Sequence, residues 1–147
     1  MITLRPSKRS EIDRFDQLDR QEHARGFVIQ TGKRLHLKQF IDPRISYLTI
    51  ENFSGEFCGY FILVLDENSR SVEFRRILID HNRRGIGQIA IREMEKYCKS
   101  ELNVKRIWLD VFQDNEIGVH IYEKMEYERF NKKSFEGKTL YLYEKAL

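Results

Sequence analysis

The hydrophobic positions of this chain change period several times, and each change marks an element. Residues 2–4 read as a short first strand. Over residues 7–18, Ile12, Phe15 and Leu18 recur at helical spacing, with Ser7 or Ser10 as the expected N-cap. A second helix is expected over residues 33–40. Residues 47–51 and 57–65 are rich in β-branched and aromatic side chains and flank a turn at 52–55. The polar run Asp66-Glu67-Asn68-Ser69 makes the next turn, and residues 72–79 form a strand running into a glycine loop. Beyond that loop, Ile86, Ile89, Ala90, Met94, Tyr97 and Cys98 mark one face of a long helix, opposite Arg92, Glu93, Glu95, Lys96 and Lys99. A strand over 104–112, a helix over 114–125 and a hairpin of 127–135 with 138–145 around Glu136-Gly137 complete the chain. The order β-α-α-β-β-β-α-β-α-β-β predicts an α/β (α+β mixed) fold, one mixed sheet with helices on both faces.

Composition narrows the class. A length of 147 residues suits one domain spanning 1–147, and 41% hydrophobic with 33% charged residues is ordinary for a globular protein. No apolar run approaches the ~20 residues that a membrane helix needs. The amino terminus Met1-Ile2-Thr3-Leu4-Arg5 has no apolar signal stretch, so a cytoplasmic protein without membrane contact is expected. Cys58 and Cys98 form no CxxC pattern and read as reduced core thiols. The histidines, His23, His36, His81 and His120, lack metal-ligand spacing, so no metal is expected. The net charge of +3 comes without a broad basic stripe, which argues against nucleic acid as partner. Arg75, Arg76, Arg83 and Arg84 cluster beside the glycine loop, a pattern suited to a small polyanion.

The loop Asp80-His81-Asn82-Arg83-Arg84-Gly85-Ile86-Gly87 lies between a strand and a helix. The first N–H groups of a helix have no intrahelical partner, and the helix dipole adds partial positive charge there. Glycines admit a phosphate close to the backbone, and arginines supply charge-assisted hydrogen bonds. The Walker pattern fails, because Gly87 is followed by Gln88-Ile89 instead of Lys-Ser/Thr. The dinucleotide fingerprint fits Gly85-Ile86-Gly87-Gln88-Ile89-Ala90, and Asp110 stands at the distance of a ribose acid. That fingerprint normally opens a domain, whereas here more than half the chain precedes it.

The segment from Val72 to Gln88 resembles the GNAT superfamily of N-acetyltransferases, whose signature is a strand, a loop of the form Q/R-x-x-G-x-G/A and a helix. Here Asn82 takes the first loop position, followed by Arg83, Arg84, Gly85, Ile86 and Gly87. A second block, Trp108-Leu109-Asp110-Val111 followed by Asn115, Gly118, Ile121, Tyr122, Glu126 and Tyr127, is similar to the family's W-L-D-V…N-x-x-A-x-x-L-Y-x-x-x-G-F. It departs at Gly118 for Ala, Ile121 for Leu, Glu126 for Gly and Tyr127 for Phe.

The resemblance implies a GNAT-type, mostly antiparallel mixed sheet of about seven strands flanked by about four helices. It implies acetyl-CoA as cofactor, CoA as product and an amine acceptor. The main chain of Ile77, Leu78 and Ile79 would pair with the pantetheine arm, with a gap for the acyl group and a polarising N–H near Ile79. Asn82, Arg83, Arg84, Gly85, Ile86, Gly87 and Gln88 would hold the phosphates. Asn115 and Tyr122 share a helix face at i and i+7 and would meet the cofactor. Tyr122 would be the general acid for the leaving thiolate, and Glu73 the base for the amine. Alternation places Glu73, Arg75 and Ile77 on one face of the strand and Phe74, Arg76 and Leu78 on the other.

The acceptor is expected to meet residues 22–40 and the closing hairpin, where acidic and basic residues mix. It is therefore a small-molecule amine or a protein or peptide amine, and the protein a monomer or homodimer. Two other readings remain open, a catalytically silent CoA-binding regulatory domain and a dinucleotide-binding oxidoreductase.

Overall fold

The computed structural model describes residues 2–21, 31–80 and 85–147. Asn82, Arg83 and Arg84 of the expected phosphate loop, and residues 22–30 of the expected acceptor region, lie outside the described residues.

The strands are β1 (Ile2–Pro6), β2 (Ile45–Asn52), β3 (Phe57–Leu65), β4 (Ser71–Ile79), β5 (Arg106–Phe112), β6 (Glu128–Phe135) and β7 (Lys138–Ala146). Among the described residues they form one seven-stranded sheet in the order β1-β2-β3-β4-β5-β7-β6. The helices are α1 (Ile12–Asp19), α2 (Lys33–Phe40), α3 (Gly87–Ser100) and α4 (Glu116–Lys124). Neighbouring strands pair antiparallel except β4 and β5, which run parallel because the chain crosses through α3 between them. The mixed sheet and its flanking helices are those the sequence predicts.

Each sheet face buries its own core. Ala90, Ile91, Met94 and Cys98 of α3 pack with Phe61, Leu63, Val72, Phe74 and Leu109 on one face, and Val119, Ile121 and Tyr122 of α4 join them. Ile12, Phe15 and Leu18 of α1 pack with Tyr47, Tyr60, Ile62 and Leu78 on the other, beside Leu37 and Phe40 of α2. The aromatic rings there are stacked, Phe15 on Tyr60 at 4.2 Å between centroids.

Two local details differ from the sequence reading. The first helix opens with a 3₁₀ turn at Arg9–Glu11, where the Glu11 carboxylate accepts from the Lys8 N–H at 2.8 Å. Ser7 is not the cap, because its hydroxyl is taken by Thr49 at 2.8 Å. At the end of α4, Glu126 stands where the resembled family has glycine, and it holds the left-handed turn itself with φ of 71°. The turn survives because its carbonyls are satisfied, Tyr127 N–H donating to Tyr122 O at 3.0 Å and Glu126 N–H to Glu123 O at 3.1 Å.

Candidate functional site

β4 decides the geometry of the site. It pairs with β5 through Ser71, Val72 and Glu73, opposite Arg106, Ile107 and Trp108. Beyond Glu73 the two strands part. From Phe74 to Leu78 the β4 edge facing β5 carries main-chain polar groups with no strand partner among the described residues. Within the same stretch β4 bulges: Phe74 pairs with Leu63 and Arg76 with Ile62, so Arg75 is the extra residue.

That bulge corrects the expected alternation. A one-residue insertion shifts the phase of every side chain after it. Val72 and Phe74 therefore share the α3 face with Ile77 and Ile79, while Leu78 packs on the α1 face and Arg76 reaches Asp19 of α1. Glu73, opposite Val72 and Phe74 in the pleat, shares the α1 face with Arg76. It also corrects the position of the gap. The strands part at Phe74–Arg76, and Ile79 marks the wide end of the fork rather than its apex.

The fork is the floor of a cleft of about 740 Å³. It is lined by Glu73, Ile77, Leu78, Ile79, Gly85, Gly87, Gln88, Asn115 and Tyr122, so most of the predicted site residues come together. Ile86 does not line it: it is the N-cap of α3 and packs on the core. Leu140 of β7, Thr31 just before α2, and Leu35 and Gln39 within α2 also line it.

At the wide end stands the N-terminus of α3. The first helical bond is donated by Ala90 to Ile86 O at 2.9 Å, so the N–H groups of Gly87, Gln88 and Ile89 precede the ladder. Gly85 has φ of 96°, which a side chain would strain, and a Cβ at Gly87 would meet none of the described residues within 4 Å. Among the described residues, open space over helical N–H groups that precede the ladder fits a bound phosphate.

Asn115 is the N-cap of α4, its Oδ1 accepting from Gly118 N–H at 3.0 Å. A Cβ at Gly118 would lie 2.8 Å from Asn115 Nδ2, so a side chain there would push the Asn115 amide off its cap. Two turns along, Tyr122 packs edge-on against Phe74 at 5.9 Å and Tyr127 at 6.0 Å. Its hydroxyl has no hydrogen-bond partner among the described residues. Burial first, and the charge of Asp110 second, raise its pKa above the ordinary tyrosine value, so it keeps its proton.

Behind the apex lies a polar cluster that the sequence did not reveal. Asp19 is fully buried and accepts from the Tyr60 hydroxyl, from His36 Nε2 at 2.7 Å and from Arg76 Nη1 at 3.0 Å. His36, also fully buried, has Nδ1 2.7 Å from the Tyr47 hydroxyl, which donates to Gln39 Oε1 at 2.9 Å. Arg76 donates as well to Thr31 Oγ1 at 2.9 Å. Burial pushes the pKa values of Tyr47 and Tyr60 upward, keeping both phenols as donors. Among the described residues, Asp16, Asp19 and His36 bring potential ligand atoms within 4.8 Å of one another. Asp19 and His36 are spent on each other there, and Asp16 pairs with Arg20 at 3.0 Å. Glu73 is bound by Arg75 at 3.1 Å. Arg75 and Arg76 thus serve the apex, not the phosphate end where the sequence grouped them.

The sequence model of the acetyltransferase (GNAT) family matches residues 9–127. No curated protein matches the chain. Among solved structures, spermidine N-acetyltransferase SpeG from Vibrio cholerae in complex with CoA and spermine is similar with a TM-score of 0.85 at 19% identity, over 99% of this chain and 95% of that one. The dodecameric intermediate state of the same enzyme gives a TM-score of 0.80 at 20% identity, over 99% and 93%. Its complex with manganese ions gives 0.78 at 18% identity, over 99% and 92%. At such identities these likenesses speak for the fold.

Proposed function

The chain belongs to the GNAT acetyltransferase family, and from that premise we infer that it moves the acetyl group of acetyl-CoA to a primary amine by direct transfer in a ternary complex. One observation carries this reading: a forked sheet edge leads from the helical N–H groups at Gly87 to a phenol at Tyr122 that, among the described residues, has no partner and keeps its proton. Acetyl-CoA, when bound, supplies an activated acyl group and a thiol leaving group. The binding of CoA by a solved enzyme of the same fold supports that choice.

The chain's residues then divide the work. The main chain of Gly85, Gly87 and Gln88 holds the pyrophosphate at the α3 N-terminus, with Asn82, Arg83 and Arg84 as the proposed side-chain partners. The exposed edge at Ile77 and Leu78, continuing to Ile79, holds the pantetheine amides as an added strand would. Asn115, its Oδ1 committed to the cap, offers Nδ2 to the same arm. N–H groups at the bulge, around Arg75 to Ile77, polarise a carbonyl at the apex. Tyr122 gives its proton to the departing sulfur, and Glu73 takes one from the acceptor ammonium.

Tyr122→Phe tests the reading. It should lower kcat about 100-fold or more, with CoA affinity and urea midpoint unchanged. Unaltered turnover would remove Tyr122 from the chemistry.

A further inference from the structure

The charges at the apex are not those of a polycation site. Among the described residues lining the cleft, Glu73 and Asp110 are acidic, and Arg75 and Arg76 are basic. Asp110 is already paired with Lys133 at 3.6 Å. A second or third ammonium on an acceptor would face a guanidinium.

The two arginines differ in what they can do. Arg76 is 7% exposed, and its partner Asp19 is fully buried, so parting them would strand a charge in the interior. Arg75 and Glu73 are 35% and 16% exposed, open to the cleft, and such a pair is worth little because water screens it. Arg75, the extra residue of the bulge, stands beside Glu73 on the lining of the same cleft as Thr31, Leu35 and Gln39. An exchangeable carboxylate and an exchangeable guanidinium thus stand side by side where the strands part, with Leu35, 44% exposed, on the wall beside them.

We propose that the acceptor is a zwitterion of the α-amino-acid type, its carboxylate bound by Arg75 and its ammonium by Glu73. The assignment deepens the acetyltransferase reading of this cleft and rests on it. Binding exchanges one internal ion pair for two charge-assisted contacts, each with a planar or compact partner of opposite sign. Capture of Arg75 by the substrate carboxylate also frees Glu73 from its partner. Glu73 then accepts one proton from the ammonium and leaves a neutral amine, so an acceptor without the carboxylate is both held and activated less well.

The experiment compares leucine, methionine and phenylalanine with their amides, with isoamylamine and with spermidine. Binding is followed by calorimetry in the presence of CoA, and turnover by CoA release. Amidation lowers the pKa of an α-amine, so free-amine chemistry alone favours the amides. The expected result is the reverse: at least one amino acid binds and reacts with kcat/KM about 100-fold above its amide, and spermidine falls with the amides. Arg75→Gln collapses that preference to within about threefold, Arg75→Lys restores part of it, and neither changes CoA affinity. Amides or spermidine matching the amino acids would overturn the assignment. So would a preference that survives Arg75→Gln, or failure of every amino acid to bind. If CoA binds while an amide is preferred, only the acceptor assignment falls; if CoA fails to bind, the cofactor reading beneath it falls too.

Discussion

Replacing Asp19 by Asn removes one charge and one acceptor from a carboxylate buried at the centre of the polar cluster. Asp19 is fully buried and serves three donors, Tyr60, His36 and Arg76. An asparagine of the same shape offers one oxygen where Asp19 offers two, and its NH₂ cannot be accepted by the Arg76 guanidinium. The Arg76 guanidinium, 7% exposed, keeps its charge and loses its counter-charge. A hydrogen bond to a charged group contributes about 1.5–3 kcal/mol, and breaking a buried ion pair from one side costs about 3–5 kcal/mol. These describe overlapping losses, so the expected destabilisation is about 4 kcal/mol rather than their sum. At a urea dependence of about 2 kcal/mol/M, the unfolding midpoint should fall by about 2 M. Asp13→Asn is the matched control: its pair with Lys33 is 66% and 56% exposed, and its loss should cost under about 0.5 kcal/mol. Circular dichroism during urea unfolding reads both. A loss below about 1 kcal/mol for Asp19→Asn would refute the view that this carboxylate anchors Arg76 and the strand apex.

Three further outcomes follow from local geometry. Gly118→Ala gains about 1 kcal/mol of helix propensity and loses about as much by pushing Asn115 off its cap. Stability should thus change little in a urea titration, while the KM for acetyl-CoA rises. Glu126→Gly should relieve the left-handed turn and raise stability by up to about 1 kcal/mol, less what a more flexible unfolded chain takes back; a destabilised variant would contradict this. Above about pH 10, unfolded tyrosines lose protons while Tyr47, Tyr60, Tyr122 and Tyr127 hold theirs, so the unfolded state binds fewer protons and stability falls as pH rises. The melting temperature should accordingly fall as pH is raised through that range, with the tyrosinate absorbance of these four residues appearing only with unfolding.

Much of this could be read from residue order, because local chemistry dictated it. β3 is a run of apolar and aromatic residues interrupted only by Gly59 and bounded by turn residues, and α3 carries an apolar stripe. Asn115, Gly118 and Tyr122 sit on a single helix, so their spacing alone brings them to one wall. The bulge at Arg75 was not legible, since an inserted residue leaves no mark in composition and yet reverses which side chains face the acceptor. Nor was the cluster of Asp19, His36, Tyr47, Tyr60 and Arg76, which gathers residues from five elements up to 57 positions apart. In sequence Asp19 and His36 look like members of a mixed-charge surface; only the packing of α1 and α2 on the sheet makes them interior.

The most direct measurement is a calorimetric titration of CoA, with NADH as comparison, against the wild-type protein and Gly87→Asp. Among the described residues a Cβ at Gly87 meets nothing within 4 Å, so the substitution should fold normally while setting a carboxylate over the α3 N–H groups. CoA should bind the wild type in one equivalent, Gly87→Asp should lose that binding, and NADH should bind neither. Binding of NADH in place of CoA, or CoA affinity untouched by Gly87→Asp, would contradict the placement of an acyl-CoA cofactor at the head of α3.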